Sequence, residues 1–224
     1  DRITTSTLEA MKTSGEKFVM VTAYDSTFAR LISDAGAECI LVGDSLGMVL
    51  QGHDTTVPVS LEAMVYHTEC VARARPKSMI VADLPFMTYS SPDVALAASM
   101  ELMQQGAQMV KLEGGTWLSE TIHQLVQRGI PVCAHLGLTP QSVNVFGGYR
   151  VMGRTPKEAK SILADAVEIQ DAGASILLLE CVPEELAADI YTISYRRTSR
   201  TNINPNLCST LLMQSSRPIT RLIF

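Results

Sequence analysis

Four apolar runs in this chain end in a carboxylate, and this pattern limits the folds that the chain can adopt. The runs CILVGD, MIVAD, MVKLE and SILLLE end at Asp44, Asp83, Glu113 and Glu180. A short, continuous apolar run is typical of a parallel strand that is buried on both faces. Residues at the carboxyl ends of such strands line the active site in α/β barrels and open α/β sheets. The sequence therefore predicts one polar pocket with four acids and a bound cation.

Helical segments that end in glycine alternate with the apolar runs. DAGAECILV recurs as QQGAQMVKL and as DAGASILLL, and each copy reads as a helix end, a glycine turn and a strand. This repeat is the βα unit of a parallel sheet. Six units of this kind can be counted as far as residue 179, whereas a (β/α)8 TIM-type barrel needs eight. An open doubly wound sheet is the structural alternative, although its ligands gather at one switch point rather than at nearly every strand end.

Strands and helices are predicted in alternation between residues 18 and 179. The strands are Phe18–Thr22, Cys39–Val42, Ser78–Ala82, Gln108–Leu112, Pro131–His135 and Ser175–Leu179. The helices are Ser26–Ala35, Leu61–Arg75, Asp93–Gln105, Leu118–Arg128 and Lys157–Asp171. Ser60 and Ser91 directly precede helical stretches, as N-cap residues do.

The chain changes character after residue 189. Residues 190–224 contain no aspartate or glutamate and show no clear helical period. Tyr191, Ile193 and Tyr195 alternate like an edge strand, and the segment LCSTLLM has the apolar content to pack. We therefore predict a (β/α) barrel catalytic domain over residues 1–189, followed by a divergent tail of doubtful structure. This ending predicts a barrel that is incomplete at its C-terminus.

Composition narrows the class of partner and the compartment. The net charge of −5 argues against nucleic acid as a partner, because nucleic-acid binding usually requires a basic face. No apolar run reaches the roughly 18 residues of a membrane span, and the first residues do not resemble a secretory signal. The 5 cysteines are scattered without a CxxC pair, which favours a reducing cytoplasm over a disulfide scaffold.

Three of the four acids are suited to binding a metal. Asp44, Asp83 and Glu113 offer the hard oxygen ligands that Mg²⁺ prefers. Magnesium usually keeps several waters beside a few carboxylates, which leaves positions for a substrate with two oxygens. The alternative for any single acid is a cap on the following helix or turn. Three acids at consecutive strand ends favour a shared metal pocket, and Mn²⁺, Co²⁺ and Zn²⁺ also accept such ligands.

Three further side chains near the strand ends can take part in chemistry. Lys111 and Glu113 point to the same face of their strand. The lysine either neutralises the carboxylates and a bound substrate or forms only a salt bridge with Glu113. His135 is a candidate acid, base or substrate ligand, and the alternative is a hydrogen bond to the backbone. The predicted partial burial of Glu180 suits a general base, and the alternative is a cap on the helix beginning at Pro183.

Two loops add further candidates. Ser45 follows Asp44 in GDSLGM, where its hydroxyl is placed to hydrogen-bond an anionic ligand. GGYRVMGRT, residues 147–155, is a glycine-rich turn that predicts a mobile lid. Neither GxxxxGK[ST] nor a strand-borne GxGxxG occurs, so no nucleotide cofactor is indicated.

Long motifs of this chain resemble one enzyme family. They are VTAYDSTFARLISDAGAECILVGDSLGMVLQGHDTTVPVSLEAMVYHT, ADLPFMTY, KLEGG, GIPVCAHLGLTPQSVNVFGGYRVMGR and LLLECVPEELA. In this order, from about Thr4 to Asp189, they resemble 3-methyl-2-oxobutanoate hydroxymethyltransferase, or ketopantoate hydroxymethyltransferase. The resemblance implies a (β/α)8 barrel and transfer of a one-carbon unit from 5,10-methylenetetrahydrofolate to 3-methyl-2-oxobutanoate. The implied product is 2-dehydropantoate (ketopantoate), for pantothenate synthesis.

The resemblance also implies residue roles and partners. The implied metal ligands are Asp44, Asp83 and Glu113, and the positions that contact the 2-oxo acid are Asp44, Ser45, Asp83 and Lys111. Glu180 falls on the proton acceptor, and His135 is a supporting candidate. The implied mechanism removes a proton to form an enolate stabilised by Mg²⁺ or another divalent metal, and the enolate attacks the folate-borne carbon. The family forms large homo-oligomers, with no nucleic acid or membrane partner.

The chain departs from the family pattern after the LLLECVPEELA helix. The family normally continues with two more βα units and a C-terminal helical segment, and residues 190–224 show none of this pattern. One alternative function is therefore that of a truncated, inactive or regulatory family variant. Another is a related Mg²⁺-dependent carbon–carbon lyase of 2-oxo acids, which does not need the full HDTTVPV and FGGYRVMGR segments. Folate dependence separates the transferase from the lyase.

Overall fold

The computed structural model describes residues 1–200, 209–214 and 221–222, with side chains as far as Ser194. The strands are β1 (Met20–Thr22), β2 (Cys39–Val42), β3 (Met79–Asp83), β4 (Met109–Glu113), β5 (Val132–Gly137), β6 (Ile176–Glu180), β7 (Ser209–Gln214) and β8 (Arg221–Leu222). The helices are α1 (Thr5–Ser14), α2 (Ser26–Asp34), α3 (Leu46–Val49), α4 (Leu61–Arg73), α5 (Pro92–Gln104), α6 (Ser119–Gln127), α7 (Val143–Phe146), α8 (Pro156–Asp171) and α9 (Glu184–Arg200). Among these described helices, none combines the length and apolar character needed to cross a membrane.

All of these strands belong to one sheet and follow each other in sequence order. Neighbours from β1 to β7 are parallel, and β8 pairs antiparallel with β7. The predicted parallel α/β fold is therefore confirmed. The strand order never reverses, which removes the switch point of a doubly wound sheet and favours a barrel wall. Within the described residues, β1 pairs only with β2.

Three strands extend as far as the carboxylates that were expected just beyond them. β3, β4 and β6 end at Asp83, Glu113 and Glu180, one residue later than predicted. Parallel pairing continues to these positions, since Asp83 lies opposite Lys111 and Glu113 lies opposite His135. Each carboxylate therefore points to the same face as every second residue before it.

Alternate strand residues form two separate apolar layers. The layer inside the curl of the sheet consists of Leu8, Phe18, Met20, Cys39, Leu41, Met79, Val81, Met109, Cys133, Ile176 and Leu178. The residues between them, such as Ile40 and Leu177, pack against the surrounding helices. Leu8 belongs to α1, so this helix covers the end of the sheet at which the strands begin. Since the strand-terminal carboxylates share the inner face, they meet at the opposite end.

Helix α9 crosses the predicted domain boundary at residue 189 and continues to Arg200. The interpretation of Tyr191, Ile193 and Tyr195 as an edge strand is therefore wrong. Ile190 and Ser194 are both buried one helical turn apart, which shows that the relevant period is helical. The strand β7 overlaps the segment LCSTLLM, for which the sequence analysis noted only an apolar content. It is the seventh parallel strand, and it pairs with β6. The division of the chain at residue 189 stays a prediction.

A close backbone contact at the end of β5 leads to a stability prediction. Gly137 has a φ of 89°, and a Cβ atom there would overlap the carbonyl oxygen of Glu180. Gly129 has a similar φ of 80° after α6, but a Cβ atom there would meet nothing within 4 Å. We expect Gly129→Ala to cost about 1–2 kcal/mol from backbone strain alone. Gly137→Ala should cost roughly 1–3 kcal/mol more from overpacking.

Urea unfolding of the two glycine variants and the parent chain measures both costs. Equal losses of stability in Gly137→Ala and Gly129→Ala would show that the contact between Gly137 and Glu180 is not tight.

Candidate active site

A buried lysine links two of the strand-terminal carboxylates. The Lys111 ammonium lies 2.7 Å from Asp83 Oδ1 and 3.7 Å from Glu113 Oε1. All three side chains are almost fully shielded from solvent. The expected salt bridge of Lys111 to Glu113 is therefore the longer of two contacts, and the lysine serves a group of carboxylates. Removing the charge of Lys111 would leave both carboxylates poorly compensated away from water.

His135 links Glu113 to the fourth carboxylate. Its Nδ1 atom lies 3.1 Å from Glu113 Oε1, and its Nε2 atom lies 3.3 Å from Glu180 Oε2. The ring is buried between these two carboxylates, so the alternative of a purely backbone-bonded histidine is not what the structure contains. The contact to Glu180 lacks good hydrogen-bond alignment. His135 thus lies between Glu113 and Glu180 and joins the fourth carboxylate to the group at the strand ends.

Gln141 completes the group, although the sequence analysis did not identify it. Its backbone N–H donates to Glu113 Oε2 at 3.0 Å, and its Nε2 donates to Asp44 Oδ2 at 2.8 Å. The same amide nitrogen also donates to the Leu84 carbonyl at 3.0 Å. Gln141 lies in the 3₁₀ turn Pro140–Ser142 after β5, so this loop turns back over the strand ends. The only sequence signal was its position four residues after the end of β5.

The loop after β2 places Asp44 and Ser45 beside this group. The Asp44 N–H donates to Asp83 Oδ2 at 3.1 Å, and the Ser45 and Tyr24 hydroxyls lie 2.9 Å apart. Gly43 permits this approach, because a Cβ atom there would lie 2.9 Å from Ser45 Oγ and 3.5 Å from Asp83 Oδ2. The structure therefore brings together every residue that was singled out at the strand ends, and it adds Tyr24 and Gln141.

The buried charges perturb one another. Burial, with repulsion from Asp83 and Glu113, raises the pKa of the Asp44 carboxyl well above its usual range. Burial alone would lower the pKa of Lys111, but attraction to these three carboxylates outweighs it and raises that pKa. The lysine is therefore a fixed positive charge. The excess of carboxylates, by contrast, leaves Asp44 without enough compensation.

His135 carries a second positive charge. Burial would lower its pKa, but the Glu113 carboxylate and the contact to Glu180 raise it to about 9. In turn, burial would raise the pKa of Glu113, but His135, Lys111 and the Gln141 N–H lower it. At neutral pH, Glu113 is therefore an anion between two cations.

The described residues contain no group of three His, Cys, Asp or Glu side chains that is already converged as a metal site. The carboxylate oxygens instead receive Lys111, His135 and Gln141. The donor set nevertheless fits magnesium, which needs only one or two carboxylates and otherwise binds water and substrate. One observation favours an added cation: the buried Asp44 carboxyl is repelled by Asp83 and Glu113.

The glycine-rich loop lies over the mouth of the site. The hydroxyl of Tyr149 donates to Met48 Sδ at 3.4 Å, which links the loop after α7 to the helix after β2. Burial, together with the negative charges of Glu180, Asp44 and Glu113, raises the pKa of Tyr149. That the loop is a mobile lid stays a prediction.

Solved structures with the same fold belong to enzymes with other names. One is 2,3-dimethylmalate lyase, a member of the PEP mutase/isocitrate lyase superfamily, with a TM-score of 0.62 and 19% identity over 84% of this chain and 67% of that one. Another is phosphonopyruvate hydrolase in complex with oxalate and Mg²⁺, with a TM-score of 0.64 and 12% identity over 93% and 79%. At this level of identity, the likeness shows the fold alone.

Sequence comparison identifies the family. The family model described as ketopantoate hydroxymethyltransferase matches residues 2–194, which include the whole carboxylate group. A 3-methyl-2-oxobutanoate hydroxymethyltransferase of Pseudomonas putida is 57% identical over 188 residues, 84% of this chain and 71% of the relative. A protein named 3-methyl-2-oxobutanoate hydroxymethyltransferase 2, from Hahella chejuensis, is 58% identical over the same shares. The resemblance of the motifs is thus confirmed, and the chain belongs to the ketopantoate hydroxymethyltransferase family of one-carbon transferases.

Proposed function

We propose that this protein transfers a hydroxymethyl group from 5,10-methylenetetrahydrofolate to 3-methyl-2-oxobutanoate. The products are 2-dehydropantoate and tetrahydrofolate, and one water is consumed. The observation that carries the proposal is the family match over residues 2–194, within which every member of the carboxylate group lies. The reaction is a step toward pantothenate.

Asp44, Asp83 and Glu113 are the residues that we propose to hold a divalent cation, with Mg²⁺ as the leading candidate. When bound, the cation would polarise the carbonyl of the 2-oxo acid as a Lewis acid. An added positive charge also relieves the repulsion that raises the pKa of Asp44. Lys111 supplies a permanent positive charge for the carboxylate of the substrate. The Ser45 hydroxyl, held by Tyr24 at 2.9 Å, is placed to donate to the same anion.

Glu180 is the base in this proposal. Its carboxylate accepts the proton on C3 of 3-methyl-2-oxobutanoate, and the electron pair of the broken C–H bond moves into the enolate. C3 then forms a bond to the methylene carbon of the folate, and water releases the hydroxymethyl product. The contact with His135 at 3.3 Å holds the Glu180 carboxylate in position for the first step. Typical general-base contributions are about 10²–10⁴-fold in rate.

The carbon–carbon lyase alternative has weaker support. The proteins of this fold with lyase or hydrolase names share only 19% or 12% identity with the chain. The relatives at 57% identity are named hydroxymethyltransferases. The lyase chemistry does not need the full HDTTVPV and FGGYRVMGR segments. These segments lie in the connections that follow β2 and β5, and the same connections supply Asp44 and Gln141 to the site.

We also propose that the chain forms a (β/α)8 TIM-type barrel that is incomplete at its C-terminus, in the cytoplasm and as a homo-oligomer. The unreversed order of β1 to β7 and the shared apolar interior support the barrel. No disulfide joins cysteines in the part of the chain that the structure describes, in keeping with a reducing compartment.

The proposed function predicts folate-dependent product formation. Purified protein with Mg²⁺, 3-methyl-2-oxobutanoate and 5,10-methylenetetrahydrofolate should form 2-dehydropantoate, measured by mass spectrometry. Omission of the folate should abolish the product, and chelation of the metal should lower its rate by at least about tenfold, given the several kcal/mol that Lewis-acid catalysis contributes. Product formation without folate, or cleavage of a 2-oxo acid, would support the lyase instead. An absence of any turnover would support the inactive variant.

A further inference from the structure

A cavity lies directly beside the carboxylate group. It has a volume of about 460 Å³ and lies between the ends of β4 and β5 and the first half of α8. This volume is within the roughly 300–1,000 Å³ of small-molecule sites. Of the residues already assigned to the metal and the 2-oxo acid, Glu113 alone lines this cavity, so the rest of its lining has no assigned role.

The cavity touches the site at two places. Glu113 belongs to the carboxylate group and also lines the cavity. A ligand in the cavity therefore lies next to the group that contains Lys111 and His135. Gly137 also lines the cavity and packs directly on the backbone of Glu180. A ligand bound here is therefore separated from the proposed base by a single strand end. This position suits a second substrate that must deliver a carbon to C3 of the first.

One face of α8 gives the cavity its polar character. Glu158, Ser161 and Asp165 recur at a spacing of three and four residues, so they share a helix face with Ile162. The charged side chains of the lining are all carboxylates: Glu113, Glu158 and Asp165. Both hydrogen bonds that Asp165 accepts within the described residues, from Thr116 N and Oγ1, fall on Oδ1. Its second oxygen is left as an acceptor for a ligand.

Aromatic side chains give the cavity a flat wall. Trp117 and Phe146 both line it. The Trp117 ring is stacked on Tyr89 with an interplanar angle of 18° and a centroid distance of 6.2 Å. Gly114 lies against the same indole, since a Cβ atom there would be 2.7 Å from Trp117 Nε1. Flat apolar walls with acceptors at the edge match a planar ring that carries N–H groups, whereas carboxylates repel an anion.

We infer that this cavity binds the pterin ring of the folate co-substrate, with Asp165 Oδ2 accepting a hydrogen bond from its N–H edge. The inference rests on the proposed function for the identity of the ligand. The pterin edge presents an amino group and an adjacent ring N–H, and either of them can donate to Asp165 Oδ2. Among the described residues, Asp165 is the lining carboxylate that no cation pairs, and its charge disfavours the anionic glutamate tail of folate, so the ring enters and the tail stays outside.

Filling the cavity tests this inference. Ser161→Leu adds a bulky apolar side chain to the cavity face of α8, and Ala164→Leu adds one to the exposed face of the same helix. We expect Ser161→Leu to weaken tetrahydrofolate binding about tenfold or more, in line with the cost of overpacking, while Ala164→Leu binds like the parent chain. Calorimetry measures the affinity. Trp117, the one tryptophan of the chain, reports binding at the cavity by fluorescence quenching.

Two further measurements separate the possible failures. 6-Methyltetrahydropterin, which lacks the tail, should compete with tetrahydrofolate and quench Trp117. Deuterium exchange at C3 of 3-methyl-2-oxobutanoate needs no folate. The exchange rate of the Ser161→Leu variant should therefore lie within about twofold of the parent rate, which is much less than the roughly tenfold loss expected for tetrahydrofolate binding. If Ser161→Leu also lost exchange, Phe146→Ala, which removes the flat wall without filling the cavity, takes its place. Equal tetrahydrofolate affinity in parent and cavity variant overturns the inference, whereas a parent chain without exchange contradicts the proposed function alone.

Discussion

Glu180→Gln is expected to abolish deuterium exchange at C3 of 3-methyl-2-oxobutanoate while leaving Mg²⁺-dependent binding of the 2-oxo acid intact. The amide keeps the shape of the side chain but cannot accept the C3 proton. We expect the exchange rate to fall by at least about 10²-fold, the lower range for loss of a general base. Proton NMR of the C3 position in D₂O measures the rate, and calorimetry measures binding.

Glu184→Gln is the matched control for this substitution. Glu184 is exposed at the start of α9, four residues after the end of β6, so the same chemical change there should leave exchange at the parent rate. Exchange by Glu180→Gln at the parent rate would exclude this carboxylate as the base. Loss of both exchange and binding would instead assign Glu180 a role in holding the substrate.

Lys111→Met should destabilise the metal-free protein strongly and make its stability depend on Mg²⁺. The lysine compensates Asp83, Glu113 and Asp44 in a buried site, and its removal leaves uncompensated carboxylates. Breaking a buried ion pair from one side costs about 3–5 kcal/mol. A bound cation replaces part of the lost charge, so Mg²⁺ should raise the free energy of unfolding more in the variant than in the parent chain.

Urea denaturation with and without Mg²⁺ tests this expectation, with Lys160→Met on the exposed face of α8 as the control. The control should lie within about 0.5 kcal/mol of the parent chain, as surface substitutions usually do. A similarly small effect of Lys111→Met would show that the buried ion pairs do not stabilise the fold. Equal stabilisation of variant and parent chain by Mg²⁺ would place the cation away from the carboxylate group.

The sequence predicted the strand ends because burial on both faces leaves a clear signal. An apolar run that stops at a carboxylate, as at Asp83, Glu113 and Glu180, marks the place where the apolar interior gives way to a polar site. The same logic placed Lys111 and His135, which precede or pair with these positions on the inner face. The expected boundaries were one residue short because pairing with a neighbouring strand, which no local pattern encodes, extends each strand.

The loop residues of the site could not be predicted in the same way. Gln141 meets Asp44 across 97 positions of the sequence, and no period relates the two. Its orientation depends on the 3₁₀ turn after β5 folding back over the sheet. The helical form of Tyr191 to Tyr195 was missed for a different reason. An alternation of two aromatic residues resembles a strand, while the buried pair Ile190 and Ser194 carries the helical period that determines the structure.

Deuterium exchange at C3 of 3-methyl-2-oxobutanoate by the unmutated chain, with and without Mg²⁺, tests the central claim most directly. That claim is that the carboxylates at the ends of β3, β4 and β6 and in the loop after β2 form one site, which activates a 2-oxo acid. It predicts exchange with Mg²⁺, loss of that exchange on chelation of the metal, and no requirement for folate. An absence of exchange with Mg²⁺ present, or an equal rate after chelation, would contradict it.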